Sequence, residues 1–211
     1  MREMTSAQPD RCPEETRQKT NDGTALSSPL APGQQERELT DCRLMERAIA
    51  LAREAAALGE VPVGAVVSLD GEIVGEGYNR RETDRSALRH AELIAIEDAC
   101  SRLGGWRLHR CQLHVTLEPC PMCAGAILNA RLLRVVYGAR DPKSGSCESV
   151  VRLFELPYNH RPQVTAGVLE PDCSRLLTEF FARMRASRPR RRKFVPREAA
   201  EDCHPCHEPQ R

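Results

Sequence analysis

Two short motifs contain the residue types that bind zinc and move protons. His90 and Glu92 stand two residues apart, and Cys120 and Cys123 occur further on in the segment Pro119-Cys120-Pro121-Met122-Cys123. Zinc prefers imidazole and thiolate ligands, and a catalytic site supplies three of them and leaves the fourth tetrahedral position for water. His90, Cys120 and Cys123 are therefore the candidate ligands of a catalytic zinc ion.

Glu92 is the candidate catalytic group beside this site. It is not expected to be a ligand, because the three ligands leave only the water position. A carboxylate next to the metal can take a proton from zinc-bound water and return it to a leaving group. Zinc lowers the pKa of its bound water to roughly 7, so hydroxide becomes available at neutral pH.

A lone Cys-x-x-Cys is also typical of a structural zinc half-site or of a redox pair. A structural site would normally show four protein ligands. No second Cys-x-x-Cys or Cys-x-x-His is formed by the other cysteines of the folded region, which are Cys42, Cys100, Cys111, Cys147 and Cys173. His-x-Glu combined with Pro-Cys-x-x-Cys is a signature of zinc deaminases, and it favours the catalytic interpretation.

Two predicted helix starts position these groups. Pro121 suits the first position of a helix, where its missing N–H would have no partner. Cys120 and Cys123 then lie on the same face of the first turn. The free amides and the positive end of the helix lower the pKa of the thiols. His90 also falls at a predicted helix start, so two helix N-termini are expected to converge on one cation.

Alternating helix and strand signals predict a three-layer α/β domain over residues 40–187. Thr40 is expected to cap a helix, and Asp70-Gly71 predicts a hairpin between strands at Gly64–Leu69 and Glu72–Tyr78. The other predicted elements are helices over 90–103, 121–130 and 171–186 and strands over 113–117, 132–137 and 163–168. A strand, a short helix and a strand joined this tightly imply a parallel, right-handed crossover.

Composition indicates two disordered tails and a cytoplasmic protein. Residues 1–39 contain many polar residues and prolines and few large apolar ones, so we expect a disordered N-terminal tail before the domain at 40–187. Residues 188–211 predict a basic, disordered C-terminal tail. The net charge is +1, and no apolar run approaches the roughly 18 residues of a membrane span. The N-terminus lacks the apolar stretch of a secretory signal, so we expect no membrane association and mostly reduced cysteines.

The chain resembles the cytidine-deaminase superfamily, and within it the bacterial tRNA-specific adenosine deaminases. The resemblance covers about residues 42–187. It is carried by VPVGAV at 61–66, GEGYNR at 75–80, HAE at 90–92, VTLEPCPMCAGA at 115–126, RVVYGARD at 134–141, NHR at 159–161 and the closing Phe180-Phe181. The zinc motif indicates only the superfamily, whereas RVVYGARD, NHR and the two phenylalanines indicate the tRNA enzymes.

The resemblance implies a three-layer α-β-α cytidine-deaminase-like fold with a central five-stranded mixed sheet. It also implies a homodimer with one zinc ion per subunit, which converts adenosine at the first anticodon position of tRNA to inosine. At the matching positions His90, Cys120 and Cys123 would hold zinc, Glu92 would shuttle the proton and Asn79 would hydrogen-bond the flipped base. Asn129 stands where relatives place a polar residue near the nucleotide.

Other interpretations stay open for several of these residues. Asn79 follows a strand, where asparagine commonly has a turn role, and Asn129 is also typical of a helix C-terminus. Phe180 and Phe181 are interpreted most simply as core or interface residues, although one of them could stack near RNA. Many bacterial members have Asp-Pro-Thr-Ala before the His-Ala-Glu, whereas this chain has Ser86-Ala87-Leu88-Arg89, a departure that bears on contacts to flanking nucleotides.

The C-terminal end is locally basic. Between positions 183 and 197 there is no acidic residue, and the basic ones are Arg183, Arg185, Arg188, Arg190, Arg191, Arg192, Lys193 and Arg197. We expect this block to contact the phosphates of an anticodon stem, the alternative being a solvated tail. Cys203-His204-Pro205-Cys206-His207 is too cramped for one tetrahedral ion and is interpreted as an incidental tail.

Two other functions fit the same motifs. A guanine deaminase or another free-nucleobase deaminase would share the zinc motif and the fold. A non-catalytic RNA-binding partner subunit would keep the fold and use zinc structurally. Glu92 argues against the partner subunit, because a purely structural site needs no proton shuttle, and the basic C-terminal end favours RNA over a free base.

Overall fold

The computed structural model of the protein describes residues 32–187. In chain order its elements are α1 (Pro32–Ala57), β1 (Gly64–Leu69), β2 (Glu72–Tyr78), α2 (Ala91–Leu103), β3 (Cys111–Leu117), α3 (Pro121–Ala130), β4 (Arg134–Ala139), a 3-10 turn (Leu153–Glu155), β5 (Gln163–Ala166) and α4 (Glu170–Ser187). Within these residues no helix combines the length and the apolar character needed to cross a bilayer.

The five strands form one mixed sheet in the order β2-β1-β3-β4-β5. Strand β1 runs antiparallel to both of its neighbours, whereas β3, β4 and β5 are parallel to one another. The hairpin between β1 and β2 turns at Asp70 and Gly71, whose φ angles are 51° and 85°. Positive φ at both positions is what the Asp-Gly pair tolerates, and the predicted hairpin is confirmed.

Alternating side chains of the strands place the sheet between two helical layers. Ala65 and Val67 of β1 pack in the core that α2 and α3 share with the sheet. Val66 points to the other face, where it packs against Leu44 and Leu51 of α1. Because successive residues of a strand face opposite sides, both faces of β1 are buried. The predicted three-layer α-β-α fold with a five-stranded mixed sheet is confirmed.

Helix α1 begins earlier than the sequence pattern predicts. It begins at Pro32, in the segment expected to be disordered, and the residues from Gly33 to Leu39 are exposed. The Thr40 hydroxyl donates to the Glu36 carbonyl at 2.9 Å, a bond that threonine makes inside a helix, so Thr40 is not its cap. Because residues 33–39 are exposed, this part of the helix has no apolar periodicity from which it could be predicted. The predictions for residues 1–31 and 188–211 lie outside the described residues.

Helix α2 lies directly on the backbone of β2. A Cβ atom added at Gly77 would collide with the carbonyl oxygen of Ala91, and one at Gly75 with that of Ala95. Glycine permits this close approach because it has no side chain. The first turn of α2, which contains Glu92, is therefore held against the end of β2 that precedes Asn79.

A buried charged network joins α1 to the sheet on the face opposite α2 and α3. The Arg134 guanidinium donates to both carboxylate oxygens of Asp41, at 2.9 and 2.7 Å. Nε2 of the fully buried His114 lies 2.9 Å from Oδ1 of Asp41. Burial raises the pKa of Asp41, but the hydrogen bonds from His114 and Arg134 outweigh it and hold the pKa below its usual value.

Replacing Asp41 with asparagine should lower the free energy of unfolding at pH 7 by about 3 kcal/mol, because Arg134 would lose its buried counter-charge. Since the pKa of Asp41 is lowered, the ionised group stabilises the fold above its unfolded pKa of about 3.9. The difference between wild type and variant should therefore shrink as the pH falls below that value. Urea unfolding measures both effects. Glu155→Gln, which breaks the exposed pair with Arg152, is the control and should change stability by less than about 1 kcal/mol.

Candidate active site and metal site

The two motifs meet because each of them occupies a helix N-terminus. His90 is the N-cap of α2 and Cys120 is the N-cap of α3, and both have extended backbone conformations. Pro121 is the first residue of α3, as its missing N–H predicts. Strand β3 ends at Leu117, only two residues before Pro119, so the sheet delivers Cys120 to the point where α2 begins.

Three ligand atoms converge at this point. Nδ1 of His90 lies 3.6 Å from Sγ of Cys120 and 3.5 Å from Sγ of Cys123. All three atoms lie within 4.8 Å of one another, and no other group of three or more such side chains occurs in residues 32–187. One imidazole nitrogen and two sulfurs at these separations can hold a metal ion.

In the absence of an ion, only one of the three candidate ligands has its pKa shifted towards the form that binds a metal, so the expected lowering of the thiol pKa holds for Cys120 and not for Cys123. Hydrogen bonds from Cys123 and His90 lower the pKa of the Cys120 thiol to about 4, so Cys120 is a thiolate at neutral pH. The hydrogen bond with the Cys120 thiolate, together with burial, raises the pKa of Cys123. The hydrogen bond to Cys120 also raises the pKa of His90. A thiolate is the form in which cysteine binds a metal.

Glu92 lies in the first turn of α2, beside the three ligand atoms. Its side chain is buried, with 4% of the residue exposed, and it is hydrogen-bonded to Cys123. Burial is the main cause that raises the pKa of Glu92 above its usual value. A carboxyl group with a raised pKa holds a proton more firmly than a free one does, which suits a group that carries a proton from water to a leaving group.

A cavity of about 160 Å³ opens onto this cluster. Its lining combines the candidate metal ligands with Glu92, polar side chains and a short apolar wall, formed by Val61, Val63, Asn79, Arg81, His90, Ala91, Glu92, Leu117, Glu118, Cys120, Asp141 and Ser144. Small-molecule sites are typically apolar clefts with a few converging polar groups. The cavity therefore has the character of a small-molecule site, with Glu92 and the candidate metal ligands in its lining.

Asn79 lines the cavity directly after β2, where the sequence places it. Its amide nitrogen donates to Oε2 of Glu60 and to the carbonyl of Val61, both at 3.3 Å. Glu60 is itself buried, and its Oε1 accepts from the backbone N–H of Thr83 at 2.7 Å. Among the described residues these bonds engage the Nδ2 group of Asn79, which leaves its Oδ1 to accept from a ligand. Glu60 had no sequence signal of its own.

Other predicted residues lie elsewhere. Asn129 is exposed near the end of α3 and does not line the cavity. Phe180 is buried, and its ring meets that of the half-exposed Phe181 edge to face, with the ring centroids 5.4 Å apart. Arg89, in the segment that departs from the family pattern, is paired with Asp84 and Glu97 at 3.0 Å each.

Glu118, the residue before Pro119, is buried and has no sequence signal of its own. Burial raises the pKa of Glu118, but hydrogen bonds from Ser149, Glu148 and Asp141 outweigh it and hold the pKa below its usual value. These donors come from residues 141–149, which we call the 141–149 loop. Asp141 and Ser144 of the same loop line the cavity.

Comparison with known proteins identifies the class. The model of the MafB19-like deaminase family matches residues 40–185, and the chain belongs to this family. It is 45% identical to the tRNA-specific adenosine deaminase of Bacillus subtilis (strain 168) over 150 residues, which are 71% of this chain and 93% of that protein.

Two solved structures share the fold. One, from a study of A-to-I editing by tRNA:A34 deaminases at the wobble position of transfer RNA, has a TM-score of 0.63 and 45% identity and covers 64% of this chain and 99% of that chain. The other, a protein in complex with 2,6-diaminopurine, has a TM-score of 0.55 and 25% identity and covers 67% of this chain and 82% of that chain. The family and the fold thus agree with the resemblance found in the sequence.

Proposed function

We propose that the protein deaminates adenosine to inosine at the wobble position of tRNA. The observation that carries the proposal is a buried carboxylate, Glu92, next to three converging candidate metal-ligand atoms in a cavity of about 160 Å³. The 45% identity to a tRNA-specific adenosine deaminase supports the choice of substrate. The anticodon loop is single-stranded, so its base can be splayed into a pocket without opening a stem.

The donor set fits zinc. Bonds of about 2.0 Å to nitrogen and 2.3 Å to sulfur that meet at a tetrahedral angle put the two ligand atoms about 3.5 Å apart. The distances from His90 Nδ1 to the two sulfurs are 3.5 and 3.6 Å. His90, Cys120 and Cys123 would therefore hold one zinc ion per subunit, which would supply a water molecule of lowered pKa.

Other side chains of the protein bind the base and transfer the proton. Asn79 holds the base through Oδ1, and Glu60 keeps its amide oriented. Glu92 accepts a proton from the attacking water and delivers it to the departing amino group. Water and adenosine thus give inosine and ammonia. Burial of Glu92 excludes bulk water from the proton it carries.

The deciding experiment compares three substrates with the purified protein. We expect inosine formation in an anticodon stem-loop with adenosine at the first anticodon position, and no ammonia release from free guanine or free adenosine. Ammonia release from guanine without reaction of the stem-loop would instead identify a free-base deaminase. Sequencing the anticodons of a tRNA pool incubated with the protein would identify the isoacceptors that it accepts.

Replacing Asn79 with alanine should lower kcat/KM for the stem-loop by about 10- to 100-fold, because a buried hydrogen bond to the base is lost and Glu60 loses one of its two hydrogen-bond donors. The zinc content should stay at one ion per subunit, since Asn79 is not a ligand. Steady-state kinetics and metal analysis measure the two quantities. An unchanged kcat/KM would contradict the role of Asn79 in binding the base.

Removing residues 188–211 should weaken tRNA binding and flatten its dependence on salt, because each phosphate contact that is lost removes about 0.7 to 0.9 from the slope of log K against log salt concentration. Of the basic block, only Arg183 and Arg185 lie within the described residues, and both are exposed on α4. Filter binding from low to high salt measures the slope, and an equal slope in both proteins would contradict the contact.

Several further predictions belong to the same proposal. A homodimer interface could be formed by exposed apolar side chains of the described region, which include Leu133, Val150, Val151, Leu156 and Tyr158.

Asn129 is proposed as an RNA contact outside the cavity. A cytoplasmic location follows from a tRNA substrate. Cys203, His204, Cys206 and His207 are proposed to bind no second zinc ion, so truncation before Cys203 should leave the zinc content unchanged.

A further inference from the structure

The 141–149 loop is attached to the body of the domain by one buried carboxylate. Oε1 of Glu118 accepts from the backbone N–H groups of Cys147, Glu148 and Ser149 at 3.1, 2.7 and 2.9 Å. Oε2 accepts from the N–H of Asp141 at 3.1 Å and from the Ser149 hydroxyl. Both ends of the loop therefore bind the same side chain, which is only 2% exposed.

The loop is packed around this carboxylate with no room to spare. A Cβ atom at Gly145 would collide with the carboxylate of Glu118 and would lie 2.6 Å from the Asp141 carbonyl oxygen. The N–H of Ser146 donates to the Pro119 carbonyl at 2.8 Å, next to the candidate ligand Cys120. The carboxylate of Asp141 is engaged within the loop, because it accepts from the N–H of Lys143 and from the Ser144 hydroxyl.

We propose that Glu118 is a positioning residue that holds the 141–149 loop as one wall of the substrate cavity, so that Asp141 and Ser144 meet the nucleotide in a fixed arrangement. This inference rests on the proposed function. All five hydrogen bonds that the carboxylate of Glu118 makes with residues 32–187 come from donors, so an anionic carboxylate satisfies all of them. Glu118 borders the cavity, but the donors of the loop engage its carboxylate, so it acts on RNA binding through the loop.

Glu118→Gln tests the attachment because it keeps the size of the side chain and places an NH₂ group against N–H donors. We expect amide hydrogen exchange of Cys147, Glu148 and Ser149 to become at least about 10-fold faster. KM for the anticodon stem-loop should rise by about 10-fold while kcat stays within about 3-fold and the zinc content stays at one per subunit. Glu118→Asp, which keeps the charge, should restore part of both effects.

Gly145→Ala provides an independent variant that leaves every side chain near the metal site unchanged. The added methyl group should push the loop away from the Glu118 carboxylate and raise KM, with the zinc content unchanged. This variant tests the proposal even if Glu118→Gln does not fold. Glu72→Gln is the matched control, because Glu72 is exposed at the end of β2 remote from Asn79. It should change neither the exchange rates nor the kinetics.

Three outcomes would overturn the proposal. Unchanged exchange in Glu118→Gln would show that the carboxylate does not hold the loop. Faster exchange with an unchanged KM would show that the loop is no part of the substrate wall. Loss of zinc with a lower kcat would show that Glu118 supports the metal site instead. If the wild-type protein does not deaminate RNA, the proposed function fails, whereas the exchange experiment still reports on the loop.

Discussion

Replacing Glu92 with glutamine should lower the rate of inosine formation in the anticodon stem-loop by about 10³-fold, within the range of general acid–base catalysis. Glutamine fills the same buried volume, so the fold should be kept. The amide cannot accept the proton of the attacking water, and it cannot return a proton to the departing amino group. Zinc content and RNA affinity should both be unchanged, because the proposed mechanism makes Glu92 neither a ligand nor a contact of the RNA backbone.

Single-turnover kinetics at saturating RNA isolates this effect, with metal analysis and RNA binding measured on the same preparation. Glu97→Gln is the matched control, since Glu97 lies on the same helix and its side chain is 73% exposed. Persistent deamination in Glu92→Gln would contradict the mechanism. Equal inactivity of wild type and variant, with RNA bound by both, would instead favour a non-catalytic RNA-binding subunit.

Cys123→Ser should reduce the zinc content from one ion per subunit to less than about 0.1 and abolish detectable deamination, because a hydroxyl is a far poorer zinc ligand than a thiolate. Cys123 is fully buried in the first turn of α3, so water cannot easily replace the lost sulfur. Because the ion would join the start of α2 to the start of α3, the melting temperature should fall as well.

Metal analysis, thermal unfolding and the stem-loop assay together check this prediction. Cys100→Ser is the control, because Cys100 is a half-buried cysteine of α2 outside the ligand cluster, and its zinc content should stay at one ion per subunit. Chelator treatment of the wild type should reproduce the Cys123→Ser phenotype, and added zinc should restore only the wild type. A fully active Cys123→Ser protein with normal zinc would contradict the assignment of this ligand.

The convergence of the three ligand atoms could be predicted because the relevant signals are local. His90 and Cys120 each stand next to a helix start, and Pro121 marks the second of these starts in the sequence. The hairpin at Asp70 and Gly71 is equally local, since its turn depends on two adjacent φ angles. Physical chemistry within a few residues was sufficient for these features.

Features that depend on distant partners could not be predicted. Glu118 takes its function from donors 23 to 31 residues further along the chain, and a single glutamate gives no sign of them. Asp41 likewise meets Arg134 across 93 positions. The strand predicted at 132–137 lies two residues further along, at Arg134–Ala139, because β4 is buried on both faces and has no alternation of apolar and polar residues to set its ends.

The direct contact of α2 with the β2 backbone has a consequence for how substrate choice can change. Main-chain atoms hold the first turn of α2 in place, so repacking of neighbouring side chains cannot move it by small steps. Mutational drift or laboratory selection for a new nucleotide would therefore leave the first turn of α2 unchanged and act on the segment 80–89 and on the 141–149 loop. The residues that carry out the reaction and the residues that select the nucleotide would then evolve independently of each other.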